Sequence, residues 1–74
     1  MEKIEITTET IQLDQFLKWA GVIESGGQVK NMIENELIYV NDVLEKARRK
    51  KLKNSDVVRI SKVGSWQVVF KGER

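Results

Sequence analysis

The 74-residue chain is 41% hydrophobic and 32% charged, and a chain of this length buries only about 60–65% of the surface it exposes when unfolded. With no cysteine and no histidine, it has no disulfide, no thiolate nucleophile, no imidazole base and no usual zinc ligand set. The net charge of +2 hides a polarity: residues 1–45 carry three lysines against nine acids, whereas residues 46–74 carry ten Lys or Arg against Asp56 and Glu73. Such a split calls for a polyanion partner or for pairing of the two halves with each other.

In chain order, Lys3-Ile4-Glu5-Ile6-Thr7 alternates with period two and predicts a strand with Ile4 and Ile6 inward. The threonine-rich stretch 7–10 ends that strand and offers helix caps. Leu13, Phe16, Leu17 and Ala20 follow at helical spacing, predicting a helix over about 12–20 with Gly21 as its left-handed terminator. Ser25 and Gln28 have capping-box spacing, and Val29, Met32 and Ile33 form a second apolar stripe. The second helix is therefore expected over about 26–35, ended by Asn35, with a link of four or five residues that keeps the two helices adjacent.

Leu37-Ile38-Tyr39-Val40 reads as a strand, Asn41-Asp42 as a two-residue hairpin turn, and 43–46 as the return. The basic segment from Lys46 reads as a loop. It is followed by strands at Val57 to Ser61 and Trp66 to Phe70, joined through Val63-Gly64-Ser65. The expected architecture is α+β: one domain over residues 1–74, with a helix-turn-helix packed on a small, mostly antiparallel sheet of four or five short strands. Apolar runs of at most five residues exclude a membrane-spanning helix, and the acidic start is unlike a signal peptide, so a cytoplasmic location is expected.

Two stretches stand out as candidates for function. Lys46, Arg48, Arg49, Lys50, Lys51 and Lys53 place six cations within eight positions. A merely solvated loop does not require one sign of charge at that density, whereas each phosphate neutralised by such a run releases condensed counterions. Gly26 and Gly27 open the second helix, although glycine costs about 0.8–1 kcal/mol relative to alanine in a helix interior. A helix start without side chains lets an anion approach the free N–H groups and the positive end of the dipole. The competing explanation is conformational: a positive φ, or close passage of one helix over the other. Lys30 lies one turn beyond the glycines, and Lys18 projects from the first helix. Trp19 and Trp66 read first as core or rim aromatics and Tyr39, Phe16 and Phe70 as core, and no carboxylate pair has the spacing of a general acid and base.

Taken together, Gln12-Leu13-Asp14-Gln15-Phe16-Leu17-Lys18, Ser25-Gly26-Gly27-Gln28-Val29-Lys30, Tyr39-Val40-Asn41, Arg48-Arg49-Lys50-Lys51-Leu52 and Asp56-Val57-Val58 resemble the RNA-binding domain named after small-subunit ribosomal protein S-four. The likeness, over about residues 11–60, is to the small free-standing bacterial members. It implies RNA held along the helix-turn-helix, with Lys18, Ser25, Gly26, Gly27, Gln28, Lys30 and the cluster from Arg48 to Lys53 at the contact surface. The chain departs from the family pattern at Gln12, in place of an arginine, and at Glu36 and Asp42, in place of glycines. Asn54-Ser55 replaces a Pro-Gly turn.

The expected function is thus a monomeric, non-catalytic module without cofactor. Its expected partner is structured RNA, ribosomal or transfer, on the ribosome or an assembly intermediate. Two alternatives stand beside it: a protein-interaction module using the basic loop or an apolar edge at Val68, Val69 and Phe70, and DNA binding through the second helix, whose first turn offers few base-reading side chains.

Overall fold

A computed structural model describes residues 1–72, as two helices and seven strands. They are β1 (Glu2–Glu5), β2 (Thr10–Gln12), α1 (Leu13–Trp19), α2 (Gly26–Glu34), β3 (Ile38–Val40), β4 (Val43–Leu44), β5 (Lys51–Lys53), β6 (Val57–Ile60) and β7 (Gly64–Val69). Five strands form a sheet in the order β1-β7-β6-β3-β4, antiparallel except for β1, which pairs parallel with β7. The α+β expectation holds.

The inner face of the sheet follows from strand alternation: Ile38, Val40, Val58, Ile60, Trp66 and Val68 point one way and are buried. They meet Leu13, Phe16 and Leu17 of α1, Val29 of α2, and Ile6 and Ile23 from the connections, in one hydrophobic cluster. Tyr39 is not core as expected. Pairing with Arg59 puts it on the opposite face, where the guanidinium stacks 4.2 Å from its ring centroid.

Three local expectations need correction. Residues 7–10 do not cap α1; β2 intervenes, and Gln12 occupies the N-cap position without a side-chain bond. The basic run is not all loop, because Lys51–Lys53 pairs with β2 in a separate two-stranded sheet. Leu52 is fully buried between its exposed lysine neighbours. Burying one leucine contributes about 1.5–3 kcal/mol, so this single side chain pins the cationic run to the core. The third correction is at the end of α2, where Asn35 has φ −93° and the left-handed residue is Glu36 at φ 58°.

Glu36 belongs to a pattern. Asp42 has φ 68° in the turn between β3 and β4, and Ser55 has φ 80° in the turn between β5 and β6. These are the positions where the chain departs from the glycines of the family it resembles. A left-handed non-glycine residue costs about 1–2 kcal/mol, reduced for a residue such as Asp and partly offset by the entropy glycine loses on folding. Changing Glu36, Asp42 and Ser55 together to glycine is therefore expected to stabilise the chain by about 1–3 kcal/mol. A thermal melt checks this; an unchanged or lower midpoint would show that the three turns carry no strain.

Candidate nucleic-acid interface

The loop between β4 and β5 is held in place through its own backbone. Leu13 N–H donates to the Lys50 carbonyl at 2.8 Å and Asp14 N–H to the Arg48 carbonyl at 3.0 Å. Two of the unpaired donors at the start of α1 are thus satisfied by the basic loop instead of by a cap side chain. Lys50 N–H closes a turn onto the Ala47 carbonyl at 3.1 Å, and the Glu45 carboxylate accepts from Ala47 N–H at 3.1 Å. The cations therefore project from an ordered scaffold.

That scaffold divides them between two grooves. One, of about 290 Å³, lies between α2 and the loop and is lined by Lys30, Ile33, Glu34, Lys46 and Arg48. The other, of about 310 Å³, lies towards the β3–β4 hairpin and is lined by Lys50, Lys51 and Lys53 together with Glu45 and Asp56. Three cations face one acid in the first groove and two acids in the second, where Lys53 is already paired with Asp56 at 3.4 Å. The first groove is thus the more electropositive. Arg49 is exposed and lines neither groove, and Lys18 is exposed on α1 without reaching them.

Gly26 and Gly27 lie four and three residues before Lys30, one helical turn away on the same face. The bare start of α2 thus lies one turn before Lys30, a lining residue of the first groove. The conformational explanation for the glycines is not met: neither has a positive φ. A Cβ would meet nothing within 4 Å at Gly26 and only Ser25 Oγ at 3.7 Å at Gly27. Among the described residues no acceptor is found for either N–H group. The Ser25 capping box forms, with the Gln28 side-chain oxygen accepting from Ser25 N–H at 3.2 Å and also from Glu24 N–H.

Nothing internal thus requires glycine at these positions. Gly26→Ala and Gly27→Ala are each expected to raise stability by about 0.3–1 kcal/mol. If the opening receives a phosphate, the same changes weaken RNA binding, so stability and affinity should move in opposite directions. Parallel melts and binding curves check this; a rise in stability with unaltered affinity would remove the glycines from the site.

Pairing of the two charge halves is not what the polarity serves. Among the described residues the one ion pair is Lys53 with Asp56, three residues apart within the basic half. Asp56 is the anchor of the second groove. Its carboxylate accepts from Asn41 Nδ2 at 3.0 Å, Lys53 N–H at 2.9 Å and Lys53 Nζ at 3.4 Å, while Asn41 Oδ1 accepts from Val57 N–H at 3.0 Å. Burial pushes the Asp56 pKa up, but the Lys53 backbone bond, the Asn41 amide and the Lys53 ammonium outweigh it and hold it below the ordinary value.

Trp66 is buried, whereas Trp19 is 57% exposed with its indole N–H donating to the Glu5 carbonyl at 2.9 Å. The apolar strand around Val68 and Val69 is not the open edge that would have favoured a protein-interaction module: β7 is flanked by β1 and β6. Among the described residues no helix is long and apolar enough to cross a membrane. No three carboxylates among them converge as metal ligands.

Comparison with known proteins places these features in context. Residues 4–69 match the family described as the S4 domain. A protein of Bacillus subtilis (strain 168), described as "Probable ribosome maturation protein RlbA", is 48% identical over 66 residues, which cover 89% of this chain and 93% of the relative.

Proposed function

Given that the chain belongs to the S4 domain family, we propose that it is a non-catalytic, monomeric RNA-binding protein of the cytoplasm. It recognises structured RNA in the setting of ribosome maturation, with ribosomal RNA favoured over transfer RNA. The setting is inferred from the relative described as a ribosome maturation protein, and ribosomal RNA is the RNA that such a setting supplies.

What supports the reading is the groove beside α2 holding Lys30, Lys46 and Arg48, together with the bare α2 start and its two free N–H groups one turn before Lys30. A phosphate at the α2 start would accept from Gly26 and Gly27 N–H and gain from the helix dipole. The next phosphates along the strand would meet the three cations. A-form RNA hides its base edges in a deep, narrow major groove, so a rigid surface of this kind reads phosphate spacing and shape more than sequence. Lys50 and Lys51, across the loop, extend the footprint.

Four to six phosphate contacts imply that log affinity falls with log salt at a slope of about −3 to −5, from roughly 0.7–0.9 counterions released per contact. Titrating a fluorescent ribosomal RNA stem-loop at increasing potassium chloride measures that slope. A value near zero would overturn the reading. Equal competition by duplex DNA at the same salt would instead favour DNA binding.

A further inference from the structure

The opposite flank of α2 carries a second groove of about 220 Å³, lined by Gln28, Asn31, Met32, Asn35 and Leu37 and free of charged side chains. Its three amides occur at i, i+3 and i+7, one face of the helix. They are also oriented by one another: Asn35 Nδ2 donates to Asn31 Oδ1 at 2.9 Å and to the Asn31 carbonyl at 2.8 Å, while Gln28 Oε1 is occupied by the helix cap. This leaves the N–H₂ groups of Asn31 and Gln28 and the side-chain oxygen of Asn35 free of bonds among the described residues. Donors and an acceptor therefore stand side by side over a floor of Met32 and Leu37, which are half-buried.

We propose that this amide groove holds ribose 2′-hydroxyls of the bound strand and makes Asn31 and Asn35 the residues that distinguish RNA from DNA. The inference rests on the function proposed above. Phosphate contacts position a nucleic acid but are common to RNA and DNA, whereas the 2′-hydroxyl, both donor and acceptor, separates them. A groove with donors and an acceptor, no charge and an apolar floor fits a sugar edge better than a phosphate. The two grooves flank one helix, so an RNA packed across α2 with phosphates in the cationic groove would present sugar edges to this one. Because Asn31 is held by Asn35, little side-chain ordering remains to oppose contact.

The test compares an RNA stem-loop with a DNA stem-loop of the same sequence by fluorescence anisotropy at one salt concentration, for the wild type, Asn31→Ala and Asn31→Ala/Asn35→Ala. The wild type is expected to prefer RNA. Each amide lost should weaken RNA binding several-fold, and the double variant roughly 10-fold or more, at the scale of ordinary hydrogen bonds. DNA affinity and the salt slope should stay as they were. Asn31 is exposed within the helix, where alanine is a better helix former, so the single variant keeps the test clear of folding effects. Equal losses on RNA and DNA, or no loss on RNA, would overturn the assignment while leaving RNA binding intact. A wild type that binds neither probe would instead overturn the function on which the assignment rests.

Discussion

Replacing Lys30, Lys46 and Arg48 together with glutamine is expected to weaken binding of structured RNA by roughly 100–500-fold at 0.1 M salt. The figure follows from losing three phosphate contacts, each releasing about 0.7–0.9 counterions. The salt slope should become shallower by about 2–3 over the same change. Stability should hardly move, because all three side chains reach solvent and none forms an ion pair among the described residues. The same substitutions at Arg49 and Lys18, which line neither groove, should have much smaller effects. Glu34→Gln should act in the opposite sense, since it removes the one acid that faces the first groove. Binding curves at several salt concentrations separate these outcomes, and equal losses at grooved and ungrooved cations would reduce the site to diffuse charge.

Asp56→Ala is expected to destabilise the fold by about 2–4 kcal/mol, which for a domain of this size lowers the melting midpoint by roughly 10–25 °C. The carboxylate joins the Asn41 turn to the end of the cationic strand β5, and Asn41 Oδ1 in turn accepts from Val57 N–H at the start of β6. Truncation leaves Lys53 N–H and the Asn41 amide without their acceptor in a partly buried setting. The linkage to pH has a definite sign. Because the folded-state pKa of Asp56 is held below its ordinary value, its contribution is fully present above the unfolded-state pKa and is lost as pH falls through the folded one. Acid titration of the wild type should therefore show a loss of stability below about pH 4 that is smaller in Asp56→Asn. An identical acid dependence in both proteins would assign the loss to other carboxylates.

The elements legible in the sequence are those with enough residues to show a period. Leu13, Phe16 and Leu17, the Ser25–Gln28 box, the Asn41-Asp42 turn and the strands ending the chain all speak through spacing or turn chemistry. What escaped were three-residue pairings. Thr10–Gln12 and Lys51–Lys53 are too short for alternation to register, and Leu52 sits alone among cations, so only its partner across the ladder, Ile11, reveals it as core. The parallel pairing of β1 on β7 joins opposite ends of the chain, which local pattern cannot report. Six cations in one run were visible, but their division between two grooves arises from the turn at Ala47 to Lys50 and from its carbonyls being gripped by α1. The amide face of α2 left one trace, the Gln28, Asn31 and Asn35 spacing, which is informative only once the helix is known to leave that flank open.

The central claim is that the glycine opening of α2 and the loop cations engage one phosphate strand together. Amide chemical shifts of the ¹⁵N-labelled protein during titration with a ribosomal RNA stem-loop report on both at once. Gly26, Gly27, Lys30, Lys46 and Arg48 are expected to shift along a common binding curve, with β1 and the outer sheet face around Tyr39 and Arg59 little changed. Saturation of the RNA complex with the Gly26 and Gly27 resonances unmoved would contradict the account.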